Sequence, residues 1–246
     1  MSRFGDEFGG PVKQRSVWLI PLAVFAVTAA LSALVLAYYF APTPPELVTE
    51  QRSPTEDSSR VALSIGQTEF RIPGDYLLYA SARKGGAKKS IAMVAFLPEL
   101  RGYSASDSQA LASNQPDSEV VYLQLREDNF NISEKERLER IYLAQVVKRE
   151  GAPGPFGLKQ YEFLPQTGYR DDDLLVGDTD AGPMALRCTR PSQIAPSPNC
   201  LREILLTPGV TLTYRFKRTH LEQWKDIDTG MRKLVASFIR KPQRAR

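Results

Sequence analysis

MALRCTRPSQIAPSPNCLREILL, Met184 to Leu206, contains both cysteines of the chain. Its two ends have the apolar content and alternation of strands. The middle carries Pro191, Pro196, Pro198 and Asn199, which is loop chemistry. The stretch reads as a hairpin with a long loop, and the role of its cysteines depends on the compartment. Eleven residues separate Cys188 from Cys200, so they are not a CxxC redox pair. Two thiolates also lack the two further ligands of a zinc site, in a chain with one histidine. In an oxidising space the pair would close a disulfide at the base of the hairpin loop. By the loop-entropy argument such a bridge contributes on the order of 3 kcal/mol.

The compartment is read near the start of the chain. SVWLIPLAVFAVTAALSALVLAYYF, Ser16 to Phe40, runs for 25 residues without a charge. At ~1.5 Å per residue it can cross a hydrocarbon core of roughly 30 Å. Pro21 lies in the first turns, where proline costs least. Trp18 at one end, with Tyr38 and Tyr39 at the other, suits the two interfaces of a bilayer. A cleaved signal has a shorter apolar core and small residues at its end; here Tyr38, Tyr39 and Phe40 occupy that place. The span is expected to be a retained anchor in the bilayer. Arg3, Lys13 and Arg15 precede it, and only Arg52 lies in the 15 residues after it. The positive-inside rule then leaves residues 1–15 as a cytoplasmic tail and exports the rest. In a bacterium this predicts a single-pass inner-membrane protein with a periplasmic domain.

The chain has 246 residues, 42% of them hydrophobic, and a net charge of +4. Its mean hydropathy of −0.30 excludes a multi-span protein. The mild basic excess suits an anionic membrane surface. It is too dispersed for nucleic-acid binding, which needs a concentrated basic face.

Residues 41–60, rich in proline and polar side chains, read as a flexible linker. The folded domain is expected over residues 61–246. VALSIG and TEFRIP form two short strands around Gly66, and IAMVAF and EVVYLQLRE two more. The polar connection between the latter pair, residues 98–118, is expected to be mobile. Ser133 and Glu136 make a capping box before a helix with Leu138, Ile141, Tyr142 and Val146 on one face. GLKQYEF, LLVGD, PMALRC, CLREILL and VTLTYRFKR follow as strands. Thr219 and Glu222 make a second capping box before a helix striped with Leu221, Trp224, Ile227, Met231, Leu234, Val235 and Phe238. Strands in runs with two main helices predict an α+β domain with a mainly antiparallel sheet.

Candidate chemistry is sparse. His220 is the one histidine, placed at a helix start, and no G-x-S-x-G elbow accompanies it. Asp171, Asp172, Asp173, Asp178 and Asp180 crowd RDDDLLVGDTD, but their spacing does not match a calcium loop; a solvated acidic turn is expected. No catalytic, metal-binding or cofactor-binding residue is assigned, and no enzyme is expected. Arg83, Lys84, Lys88 and Lys89 in SARKGGAKKS could meet an anionic surface, with Arg240, Lys241, Arg244 and Arg246 near the end. Ala29, Ala33 and Ala37, with Ala26 and Ala30, recur at four-residue spacing in the span, which favours close helix approach or self-association. Trp224 is expected to fill the core.

FRIPGDYL at Phe70–Leu77, FLPELRGYS at Phe96–Ser104 and YRFKRTHLEQWKDIDTGMRKLVASF at Tyr214–Phe238 together resemble a group of alphaproteobacterial proteins. These have one N-terminal span and an exported domain, and are described only as membrane-anchored proteins of unknown function. The resemblance implies the same bacterial membrane placement and carries no site residues. The expected role is a tethered, non-enzymatic binding module for an envelope protein. Alternatives are an immunity-type protein that neutralises a toxin in the periplasm, and an envelope hydrolase built on His220 or the Asp171–Asp180 carboxylates.

Overall fold

A computed structural model describes residues 18–40 and 50–240. The expected tail 1–15, the first half of the expected linker, the side chains of Tyr38, Tyr39 and Phe40, and Lys241, Arg244 and Arg246 lie outside what is described. The chain divides into two units, Met1–Glu50 and Gln51–Arg246.

In the first unit, α1 spans Leu19–Phe40. Its segment Leu19–Ala37 has a mean hydropathy of 2.5 and no buried residue. Among the described residues it is the one helix long and apolar enough to cross a membrane. The Thr28 hydroxyl donates back to the Val24 carbonyl at 2.9 Å, so this mid-helix hydroxyl keeps a partner without water. Ala29, Ala33 and Ala37 are exposed along it.

The second unit is an α+β domain. Its strands are β1 (Arg60–Ile65), β2 (Thr68–Pro73), β3 (Gly86–Ala87), β4 (Ser90–Phe96), β5 (Val120–Glu127), β6 (Ala152–Pro153), β7 (Lys159–Glu162), β8 (Asp172–Thr179), β9 (Gly182–Thr189), β10 (Asn199–Thr207) and β11 (Val210–Lys217). The helices are the short α2 (Ala80–Arg83), α3 (Ser108–Ala112) and α4 (Glu134–Glu136), and the long α5 (Trp224–Phe238). β2, β1 and β3 form a small sheet. The other eight strands form one sheet in the order β4-β5-β11-β10-β9-β8-β7-β6, and every neighbouring pair in it is antiparallel.

One face of the large sheet builds the main core. Leu123 and Leu125 of β5, Leu212 and Phe216 of β11, and Met184 and Leu186 of β9 meet the apolar stripe of α5 there. Trp224, Ile227, Met231, Val235 and Phe238 are buried as the stripe predicts, each removing apolar surface worth roughly 1.5–3 kcal/mol. Two glycines make this packing fit. A Cβ on Gly177 would meet the Trp224 ring at 2.8 Å, and one on Gly230 would meet Leu100 Cδ1 at 2.8 Å. A mid-helix glycine costs about 1 kcal/mol against alanine; here it admits a buried leucine.

Four expectations change. The folded unit begins at Gln51 and not at Val61. Residues 51–59 form a strap, held by a hydrogen bond from Ser53 N to Leu78 O (3.0 Å), by one from Gly74 N to Ser59 O (3.0 Å), and by Ala105 N donating to Glu56 Oε1 (2.7 Å). Polar composition marked a linker, but the polar groups find partners on the domain surface. The connection 98–118 is ordered. It carries α3 and the pair Arg101–Asp107, whose two contacts are 2.6 and 2.7 Å. The helix capped by Ser133, which accepts from Glu136 N at 3.2 Å, continues as π-helical turns over Arg137–Tyr142 and stops. Val146 instead pairs with Phe163 in an antiparallel bridge. Its β-branched side chain fits the sheet edge better than a helix. Finally, Arg218–Gln223 is a 3-10 stretch and α5 starts at Trp224. Thr219 donates to Pro116 O at 2.6 Å and caps nothing.

Candidate binding groove

The disulfide Cys188–Cys200 is present, and its cysteines are direct cross-strand partners. Its position matters more than its presence. β9 and β10 are eight and nine residues long, yet they pair only at Cys200↔Cys188 and Leu201↔Arg187. Beyond that point they separate. The large sheet is thus two four-stranded halves, β4-β5-β11-β10 and β9-β8-β7-β6, stapled at one end.

Where the halves part, α4 lies against both β9 and β10. The junction is filled by ions. Arg202 of β10, 1% exposed, donates to Asp228 Oδ1 of α5 (2.7 Å) and Glu134 Oε2 of α4 (2.6 Å). Its Nη1 also reaches the Ala185 carbonyl of β9 at 3.4 Å. Arg232 binds both carboxylates from the other side, and the Tyr214 hydroxyl donates to Asp228 Oδ1 at 2.9 Å. Burial pushes the Asp228 carboxyl up, but Arg202 and Arg232 more than offset this and hold it below the usual range. Burial, reinforced by Asp228, pushes the Tyr214 phenol well up. Every charge here has its partner, so the cluster ties β10 to α4 and α5. Sequence reasoning missed it, although the signal exists. Arg202 falls in the inward phase of Cys200, Arg202, Ile204, and Asp228 falls in the apolar stripe of α5. Two inward charges of opposite sign invite pairing.

The opposite face of the sheet is covered unevenly. Over the β9-β6 half, Leu138, Tyr142 and Val146 close on Tyr161, Phe163 and Leu174. Over the outer edge of the other half, Leu78 and Leu111 close on Val94, Phe96 and Val120. Between them the middle of the face is open. A hollow of about 280 Å³ lies there, lined by Arg52 of the strap, Leu78 and Tyr79, and the outward residues Ala92, Tyr122, Gln124, Leu201, Thr213 and Arg215. Arg215 and Tyr122 are cross-strand partners. The guanidinium carbons of Arg215 and Arg52 lie 4.9 and 5.4 Å from the centre of the Tyr122 ring. Arg52 Nη1 also donates to Tyr122 Oη at 3.4 Å, and Tyr122 Oη donates to Leu111 O at 3.4 Å. Among residues 51–240 no carboxylate pairs with Arg52 or Arg215. Further along the same face, Lys217 binds Asn114 Oδ1 (2.6 Å) and Ser197 O (3.1 Å). Burial and the charge of Arg215 lower its pKa.

The residues singled out from sequence do not converge. His220 Nε2 sits 3.1 Å from Ser118 O. The acidic run splits by strand alternation. Asp172 meets Arg187 (3.1 Å) and Thr189 (2.9 Å) on one face. Asp173 is buried on the other face against Arg218 (2.6 Å). Asp171, Asp178 and Asp180 are exposed, so the solvated turn expected for the whole run holds only for these three. Among the described residues no cluster of three His, Cys, Asp or Glu could hold a metal. Arg83 braces the strap through Leu77 O (3.2 Å) and Ser53 Oγ (3.3 Å). Lys84 and Lys89 are exposed and Lys88 half-buried. Trp224 is in the core, its indole N–H donating to Phe156 O at 3.2 Å.

No family model and no curated protein matches the chain. Its fold is similar to that of an immunity protein of the Stenotrophomonas maltophilia type IV secretion system. The TM-score is 0.52 over 75% of this chain and 94% of that one, at 14% identity. Similarity to the iron-regulated outer membrane lipoprotein of Neisseria meningitidis, FrpD, has a TM-score of 0.46 over 77% and 97% of the two chains, at 16% identity.

Proposed function

We propose that this chain is a membrane-anchored binding module of the bacterial cell envelope, which acts by holding another protein and not by transforming a substrate. The observation that carries the reading is the open hollow around Tyr122 on a sheet that is otherwise covered. A closed hydrophobic sandwich needs no bare strip with two stacked arginines. The apolar α1 supplies the anchor, with its N-terminal side in the cytoplasm and the stapled domain in the periplasm of the inner membrane. The resemblance to alphaproteobacterial single-span proteins agrees with that placement. Cross-linking in intact cells, followed by recovery of the tagged full-length protein, tests the module. One dominant envelope partner supports it; a folded protein at normal abundance with no partner above background removes it. Alkaline phosphatase fused to the C-terminus tests the topology, since it is active only if exported.

A second reading is favoured by the fold shared with an immunity protein: the partner would be a toxin arriving in the periplasm. A strain lacking the protein should then lose to its parent in dense contact culture and recover with the gene restored. Equal survival excludes this reading and leaves the module intact.

A further inference from the structure

We propose that the groove receives an extended acidic segment of the partner, its carboxylates taken by Arg52 and Arg215. This rests on the binding-module reading and names the chemistry of its partner. Twelve residues line the hollow, and two are arginine while none is acidic. The outward carboxylate of β10, Glu203, is tied to Arg137 at 3.1 Å and offers no counter-charge to the hollow. Guanidinium groups present planar forks that match a carboxylate in a bidentate manner. Both are held over one tyrosine ring, so less side-chain freedom remains to be lost on binding. Leu201 and the ring itself offer apolar surface beside these charges, and the Gln124 and Thr213 side chains offer hydrogen bonds. At about 280 Å³ and open to solvent, the hollow is small for engulfing a drug-sized ligand but takes two or three side chains projecting from a chain laid across it. Guanidinium groups drawn onto a ring in a hollow suit a narrow peptide better than a flat anionic bilayer, which long extended lysines would meet. Arg52 also joins the groove to the strap, so an occupant touches the same segment that leads back toward α1 in sequence.

The test uses the full-length protein in neutral detergent. The probe is a short fluorescein-labelled peptide with alternating glutamate and leucine, read by anisotropy. Binding should occur, weaken with salt, and fall by about tenfold or more in Arg52→Ala/Arg215→Ala. It should persist in Lys84→Ala/Lys88→Ala/Lys89→Ala. Circular dichroism and an intact disulfide certify each variant, and Arg52→Lys/Arg215→Lys, which keeps charge without the fork, should lie between. Equal binding by wild type and the arginine variant overturns the proposal. So does loss in the lysine variant alone. Arginine-dependent binding to phosphatidylglycerol micelles in place of the peptide would reassign the groove to lipid. In cells, a partner captured equally by wild type and Arg52→Glu/Arg215→Glu defeats the groove assignment while the module stands; a wild type that captures nothing defeats the module itself.

Discussion

The two halves of the large sheet use the same strand chemistry to different ends. The β9-β6 half is covered on both faces, and β8 reads accordingly: Leu174, Leu175 and Val176 follow one another without a polar break, the pattern of a strand buried on both sides. The β4-β10 half is covered fully on one face only. β5 and β11 alternate, with Leu123, Leu125, Leu212 and Phe216 inward and Tyr122, Gln124, Thr213 and Arg215 outward. One half is a closed sandwich that stabilises the domain. The other keeps a surface in reserve. The staple and the Arg202–Asp228–Glu134 lock occur where the two meet, because separated strands leave the Ala185 carbonyl and a gap that side chains must fill.

That contrast can be broken at the junction with the largest effect. Asp228→Ala leaves Arg202 buried with one of its two carboxylates gone. A loss of about 3–5 kcal/mol is expected in denaturant unfolding, with hydrogen exchange accelerating in α4, β9 and β10 together. A loss under about 1 kcal/mol would mean that the halves do not depend on the lock. Next, Cys188→Ser/Cys200→Ser should cost up to about 3 kcal/mol, and the same loss should appear in wild type under reductant. Thiol labelling of intact cells should require that reductant.

A third, smaller effect is set by pH. The Arg101 guanidinium, opposed by burial and helped by Ser104, holds the Asp107 carboxyl down at about 2. The folded value lies below the unfolded one, so the ion form contributes stability that is complete above the unfolded carboxylate value of ~3.9. It is lost as pH falls from there through about 2. Melting followed across that window should show a decline that Arg101→Ala flattens. The weakest effect is expected on the open side. Gln124→Ser and Thr213→Ser lie on the bare strip, and each should change stability by no more than about 0.5 kcal/mol. A larger loss would show that the strip is part of the closed structure after all.

Most of the fold was legible. Period-two alternation located the long strands, the 3.6-residue stripe gave the buried face of α5, and proline content with flanking strands placed the cysteines at a hairpin base. Legibility failed where a polar group found a distant partner. The strap looked like linker because Ser53, Glu56 and Ser59 are polar; the backbone of Ser53 and Ser59 and the Glu56 carboxylate bond to Leu78, Gly74 and Ala105 and make it structural. Val146 looked helical because its spacing fits, until the edge near Phe163 offered a bridge. The groove was not legible, because Arg52 and Tyr122 are 70 residues apart and neither alone marks a site.

The apolar span, the alternation of the strands, the stripe of α5 and the pairing of two cysteines were readable from the chain alone. These are set by local periodicity and by composition, which act within a few residues. Three features arise only on folding: the sheet splits beside the disulfide, Arg202 and Asp228 neutralise each other inside the core, and two arginines share one tyrosine on the open face. These depend on which strands become neighbours, and that is settled by burying apolar surface across the whole domain.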